Sequence, residues 1–284
     1  MTLQEWLSEK HLSLFKDETD LVRDFIHYLK KALGLSRFDL LRPESILLTA
    51  EQCDQLDHAY ERLLDHEPVS KILGLKGFWK DDFYVTKDVL DPRPDSELII
   101  EKALHYCGHD YQGDVLDLGT GSGCLILSLL REWPEAKGMA LDYSEKALQV
   151  AKENARRLSL EDRVIFQKSN WYSALEGTGK RFGCIISNPP YIRSSDIVGL
   201  SEKVKRFDPL LALDGGADGL DPYRILLQDL ALYLEPDGYL ILECGYDQAR
   251  DIAILVSTYG YDLVEIAKDL QGHERCLIFK LKNY

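Results

Sequence analysis

Residues 94–284 predict an α/β domain, a mostly parallel sheet covered on both faces, behind a small helical N-terminal domain (1–70) and a linker with a β-hairpin (71–93). Three observations predict it. Short apolar runs alternate with helical stretches of about ten to fifteen residues after residue 110, a glycine-rich turn follows the first of those runs, and the first third of the chain has helical periodicity alone.

In the first third, residues 18–33 place Leu21, Phe25, Tyr28, Leu29 and Ala32 on one face, with Gly34 as a stop. Thr49 with Gln52 three residues on has the form of a capping box, and the helix it opens carries Leu56, Tyr60, Leu63 and Leu64 before Pro68. These stripes read as packing faces, and no chemical constellation accompanies them. Recognition of a partner is the role left for this domain. From Val69 to Leu90 the runs shorten and are broken by Gly74 and Gly77, which fits a hairpin ending in Phe83-Tyr84-Val85-Thr86. Pro92-Arg93-Pro94 then stiffens a turn and opens a helix through Leu98, Ile99, Ala103 and Leu104.

Beyond residue 110 the expected strands are 115–118, 138–141, 164–167, 184–187, 239–243, 263–267 and 276–281, and the helices 122–133, 144–158, 222–234 and one ending near Thr258. Strands that follow helices pair in parallel. The last two, with no helix between them, must pair as a hairpin, so an antiparallel edge strand is expected.

Composition narrows the function. The charge is 34 − 48 = −14, so a broad basic surface that tracks nucleic acid is disfavoured and no direct nucleic-acid partner is expected. No apolar run approaches the roughly 20 residues of a membrane span, and the start, MTLQEWLSEKHLSLFKDE, lacks the basic-then-apolar order of a leader. A cytoplasmic protein without membrane contact is expected. The six cysteines are scattered and form no C-x-x-C pair, which fits buried thiols in a reducing compartment. His105, Cys107 and His109 lie close together, but no carboxylate or further His completes a ligand set, and no metal is expected.

Two segments carry chemistry. Asp117-Leu118-Gly119-Thr120-Gly121-Ser122-Gly123 lies where the first strand of the sheet gives way to its helix, and such glycines let a ligand approach backbone N–H groups. The glycines read G-x-G-x-G, with Cys124 where a dinucleotide fingerprint needs its third glycine, and no G-K-[ST] follows. Asp142 ends the next strand, where a carboxylate can accept both hydroxyls of a ribose. Alone, the turn could be a tight connection and the aspartate a helix cap. Together they favour a nucleoside-bearing cofactor with no pyrophosphate at the turn.

Ser187-Asn188-Pro189-Pro190-Tyr191 follows the fourth strand, at the carboxyl end where substrate groups gather. The prolines remove two N–H donors and leave carbonyls with nothing local to accept from. The Asn188 side-chain oxygen and the Pro189 carbonyl could hold both hydrogens of an NH2 group, with the Tyr191 ring against a planar amide or base. A proline-stiffened turn is the plain alternative, disfavoured by its placement beside Asp117 and Asp142.

The ordered pair Asp-Leu-Gly-Thr-Gly-Ser-Gly and Asn-Pro-Pro-Tyr resembles S-adenosylmethionine-dependent methyltransferases that act on nitrogen, with more detailed similarity to the HemK/PrmC group, the release factor glutamine methyltransferases. Val89-Leu90-Asp91-Pro92-Arg93-Pro94-Asp95-Ser96-Glu97 resembles the proline-arginine-proline stretch of that family. Asp208-Pro209-Leu210-Leu211-Ala212-Leu213 with Gly215-Gly216-Ala217-Asp218-Gly219-Leu220 and Tyr223, then Glu243-Cys244-Gly245 with Gln248, and Asp269-Leu270-Gln271-Gly272 with Arg275, are similar to its later segments. The resemblance spans residues 67–284. It departs at Asp91, usually hydrophobic, at Asp95-Ser96, usually Glu-Thr, and at Cys244, usually Ile.

The resemblance implies a Rossmann-like class I methyltransferase sheet and methyl transfer to the side-chain amide nitrogen (N5) of the glutamine in the Gly-Gly-Gln motif of class 1 peptide chain release factors, by a monomer. It implies S-adenosylmethionine contacts at Gly119, Thr120, Gly121, Ser122 and Gly123, at Asp142, at Trp171 near the adenine, and at Asn188. Substrate contacts fall to Asn188, Pro189, Pro190 and Tyr191, of which Asn188, Pro189 and Tyr191 are the expected catalytic group. Trp171 could equally be a core aromatic. The 194–220 stretch, rich in Gly and without clear periodicity, reads as a long active-site loop or a disordered surface insertion. A ribosomal-protein glutamine methyltransferase, a DNA adenine-N6 methyltransferase and a noncatalytic cofactor-binding adaptor are the rival readings.

Overall fold

The computed structural model describes residues 1–14 and 19–282. Contacts divide the chain into two units, one of residues 1–75 with 201–207, the other of residues 76–200 with 208–284.

The first unit is helical. Helix α1 (Leu3–Glu9) opens on a capping box formed by Thr2 and Glu5. Helix α2 (Asp20–Ala32) starts on a Thr19 cap; residue 18, where the periodicity places its start, lies outside the described residues. The capping box read at Thr49 and Gln52 opens α3 (Ala50–Leu64), and α4 (Val69–Leu73) ends on Gly74 in the left-handed region at φ 67°. Phe25, Tyr28 and Leu29 are buried as the α2 pattern requires, packed with Leu3, Trp6 and Leu56, and the Trp6 and Phe25 rings stack at 5.3 Å. Two expected packing residues are exposed: Ala32 in the last turn of α2, and Leu64 at the end of α3, where Leu56 and Leu63 are buried as expected and Ala59 joins them.

Strands β1 (Leu75–Phe78) and β2 (Asp81–Tyr84) form the expected hairpin, and α5 (Glu97–Cys107) follows the proline-stiffened turn. The alternating part runs β3 (Asp114–Leu118), α6 (Cys124–Glu132), β4 (Lys137–Asp142), α7 (Glu145–Arg157), β5 (Val164–Lys168) and β6 (Phe182–Ser187). Helix α8 (Glu202–Phe207) comes next and belongs to the first unit, where Lys203 Nζ meets Asp24 Oδ2 at 2.6 Å and Arg206 makes a forked pair with Asp65. The 194–220 stretch is therefore not structureless. Besides α8 it holds single helical turns at Ile197–Gly199 and Leu210–Ala212, too short to leave a periodic signal. The chain closes with α9 (Asp221–Tyr233), β7 (Leu234–Glu243), α10 (Ala249–Thr258), β8 (Tyr261–Lys268) and β9 (Glu274–Leu281).

The seven-stranded sheet has the order β5-β4-β3-β6-β7-β9-β8. The first five strands pair in parallel, and β9 runs antiparallel to both β7 and β8. The hairpin of the last two strands is present, but its antiparallel member stands second from the edge: β9 is inserted against β7, which leaves β8 outermost. Strand residues alternate between two cores, as period 2 demands. Val115, Cys184, Ile186 and Ile241 pack with α5 and α6, whereas Leu116, Leu118, Ile185 and Leu240 pack with α9 and α10. Both faces being covered explains why the strands read as apolar runs. Among the described residues no helix is long and apolar enough to cross a membrane.

Candidate active site

Parallel strands release their following loops at one end, so the turns after β3, β4, β5 and β6 converge. They border a cavity of about 470 Å³, lined by Gly119, Thr120, Gly121 and Ser122, by Asp142, by Ser169, Asn170 and Trp171, and by Asn188 and Pro190. Pro209, Leu211 and Ala212 border it from the later segment, and residues 88–93 with Ser96 from the segment before α5.

The glycine turn is held from behind. Gly119 and Thr120 donate backbone N–H groups to the Leu141 carbonyl at 2.9 and 3.0 Å, which ties the turn to β4. Thr120 Oγ1 donates to Asp117 Oδ2 at 2.7 Å. Asn154, buried in α7, donates to the carbonyls of Tyr84 and Ser122 at 2.9 Å each and so links hairpin and turn. Gly121 and Gly123 have φ of 55° and 80°, a region costly for residues with a Cβ. A Cβ on Gly119 or Gly121 would meet no atom within 4 Å, so at these two positions the backbone faces the open space of the cavity.

Asp142 Oδ2 accepts from Gly121 N at 2.8 Å and its Oδ1 from Ser144 N at 2.8 Å. Burial raises its pKa, opposed by the N–H groups of Gly121, Ser144 and Tyr143. Asp117, fully buried behind the turn, is raised by burial to about 7, against the Thr120 hydrogen bond. Trp171 has a φ of 53°, an uncommon conformation for an aromatic residue, and its carbonyl accepts from Ser169 Oγ at 2.6 Å. It both lines the cavity and packs, partly buried, against the core cluster that includes α9.

The Asn-Pro-Pro-Tyr turn divides its residues. Asn188 and Pro190 line the cavity, whereas Pro189 is buried and Tyr191 is absent from the lining. Asn188 Nδ2 donates to Ser96 Oγ at 3.0 Å. Tyr191 OH donates to Glu243 Oε1 at 3.3 Å, and Gln248 Nε2 donates to the Tyr191 carbonyl at 2.9 Å. No donor among the described residues reaches the Pro189 carbonyl. The Tyr191 hydroxyl is engaged inward by the buried Glu243 carboxylate, which fixes the ring beside the turn rather than in the wall of the cavity.

Sequence reasoning quoted Ser96, Glu243 and Gln248 within longer segments but gave them no task, and it missed Asn154. Residues 91–97 also gain a contact: Arg93 Nη2 meets Asp208 Oδ2 at 2.7 Å, joining this segment to the one that supplies Pro209 and Leu211.

Residues 91–202 match the family described as "Methyltransferase small domain", and residues 18–74 the "PrmC N-terminal domain". The release factor glutamine methyltransferase of Rhodospirillum rubrum is 47% identical over 249 residues, which cover 87% of this chain and 74% of that protein. The chain belongs to the release factor glutamine methyltransferase family. The release factor glutamine methyltransferase of Caulobacter vibrioides is 40% identical over 250 residues, covering 88% and 86%. Among solved structures, a methyltransferase from Pyrococcus furiosus is similar with a TM-score of 0.53 and 20% identity, over 78% of this chain and 98% of that one, which establishes the fold alone. Family membership makes the chain a protein-(glutamine-N5) methyltransferase and implies S-adenosylmethionine as methyl donor. The residues fit that donor: two cavity-facing glycines leave open space, and the Asp142 carboxylate on the same wall has lone pairs for a ribose diol.

Proposed function

We propose that this protein methylates the side-chain amide nitrogen of the glutamine in the Gly-Gly-Gln motif of class 1 peptide chain release factors, with Asn188 as the residue that receives the amide. The observation that carries this reading is that Asn188 lines the same cavity as the glycine turn and Asp142, with its Nδ2 already engaged by Ser96. Its Oδ1 is the end left for a substrate.

When bound, S-adenosylmethionine supplies a sulfonium methyl, whose C–S bond breaks with its electron pair staying on sulfur as the new C–N bond forms. The protein's task is to make an amide nitrogen attack, although its lone pair is drawn into the carbonyl. Asn188 Oδ1 and the Pro189 carbonyl accept the two N–H hydrogens and hold the nitrogen toward the methyl. Both oxygens carry partial negative charge and stabilise the positive charge that grows on nitrogen. The methylated nitrogen is strongly acidic and releases a proton to solvent, so no side chain is needed as a base. Pro190 borders the substrate, and Tyr191, clamped by Glu243 and Gln248, keeps the turn in place. Gly119 to Gly123 would hold the methionine part of the donor, Asp142 its ribose and Trp171 its adenine.

The helical unit is assigned to recognition of the protein substrate, with no metal required and the protein acting as a monomer in the cytoplasm, where its proposed substrate works. Incubation with labelled S-adenosylmethionine and, separately, a release factor, ribosomal proteins and duplex DNA tests the assignment. Label on the release factor alone is expected; label on ribosomal protein or DNA, or on none, would replace it with one of the rival readings.

A further inference from the structure

Two side chains from distant parts of the chain, Ser96 and Glu243, form a line behind Asn188. Glu243 ends β7 and is 2% exposed. Its Oε2 lies 2.5 Å from Ser96 Oγ, and Ser96 Oγ lies 3.0 Å from Asn188 Nδ2. The other carboxylate oxygen receives Tyr191 OH, so both carboxylate oxygens are engaged, and the Glu243 backbone carbonyl accepts Tyr223 OH at 2.8 Å.

Donor and acceptor capacity decide the polarity of this line. An ionised carboxylate can only accept. With Glu243 ionised, the Ser96 hydroxyl hydrogen is committed to it, and Ser96 Oγ has only lone pairs to offer Asn188. The NH2 end of the Asn188 amide is the end that satisfies them, which turns Oδ1 away from Ser96. With Glu243 protonated, the carboxyl can donate to Ser96, the Ser96 hydroxyl can turn to Asn188, and the amide can rotate to place Nδ2 in the cavity. That orientation opposes two donors to each other when the ligand is an NH2 group.

We propose that Glu243, acting through Ser96, is the positioning group that fixes which end of the Asn188 amide faces the substrate, and so selects a nitrogen that carries hydrogens. This rests on the reading that Asn188 Oδ1 receives the substrate amide. Burial pushes Glu243 up to about 7, opposed by the Ser96 hydrogen bond and the Arg275 charge and assisted by Asp95. The other titratable neighbours are Cys124 at the start of α6, Tyr191 after β6, Tyr223 on α9, Cys244 just after β7 and Cys276 on β9, whose own ionisations burial holds above their usual ranges. The carboxylate is the group among them placed to change charge near neutrality.

The test compares Ser96→Ala, Ser96→Thr and Glu243→Gln in the full chain. Readouts are methylation of a release factor, affinity for a Gly-Gly-Gln peptide, affinity for S-adenosylmethionine by calorimetry, and thermal unfolding. Ser96→Ala should lose on the order of tenfold in kcat and in peptide affinity with donor affinity and fold intact, and Ser96→Thr, which keeps the hydroxyl, should recover the loss. In the parent kcat/KM should rise with pH through about 7, and Glu243→Gln should lack that limb. Parental kcat in Ser96→Ala, failure of Thr to restore a folded Ser96 variant, or an unchanged acidic limb in Glu243→Gln would overturn the proposal. If Asn188→Ala is as active as the parent, the underlying reading fails instead; if Asn188→Ala is slow and Ser96→Ala is not, only this inference fails.

Discussion

Gly121 donates its backbone N–H to Asp142 Oδ2 at 2.8 Å, so the turn after β3 and the carboxylate that ends β4 hold one another at the cavity wall. A carboxylate already gripped by two N–H groups is fixed before a ligand arrives, and the ordering cost of binding is correspondingly small. Replacing Asp142 by Asn keeps the size and removes the charge. Affinity for S-adenosylmethionine should fall about tenfold or more, as expected for a hydrogen bond to a charged group. Calorimetry measures it directly, and unchanged affinity would remove Asp142 from the donor site.

Gly121 and Gly123 separate binding from stability. A Cβ on Gly121 would enter open cavity, while one on Gly123 would meet Leu127 Cδ1 at 3.1 Å and the Ala151 Cβ at 3.2 Å. Each alanine also carries the left-handed backbone cost of about 1–2 kcal/mol. Gly121→Ala should weaken donor binding more than it lowers the unfolding temperature, and Gly123→Ala should do the reverse. Equal effects of the two on both measurements would contradict the placement of the turn.

Asp117 is raised to about 7 by burial, so the folded state holds its proton over a range where the unfolded chain, near 3.8, has released it. The sign follows from linkage: stability from this group is full below about pH 4 and is lost as pH rises through about 7. Asp117→Asn removes that loss. Its unfolding temperature relative to the parent should therefore increase between pH 5 and pH 8, and a constant difference across that range would show that Asp117 titrates normally.

Most of the sheet was legible because parallel strands covered on both faces leave uninterrupted apolar runs, and the Thr49 cap was legible because its hydrogen bonds are local. The insertion of β9 between β7 and β8 was not, since a strand order that departs from chain order has no marker within either strand. Asn188 and Asp142 could be placed from strand ends alone. Ser96 and Glu243 stand 147 residues apart, and nothing at either position in the chain indicates that they meet. The inward hydroxyl of Tyr191 was missed for the same reason: its partner comes from β7, outside the four-residue motif.

The central claim is that Asn188 Oδ1 accepts the substrate amide, and single-turnover methylation by Asn188→Ala with saturating donor tests it most directly. Loss of one preorganised hydrogen-bonding group is worth about 3 kcal/mol in the barrier, so the rate at saturating donor should fall about a hundredfold or more while the fold is kept. Mass spectrometry of the parent's product should place one methyl group on the side-chain nitrogen of the glutamine in Gly-Gly-Gln. A parental rate in Asn188→Ala, or a methyl group located on any other atom, would contradict the account.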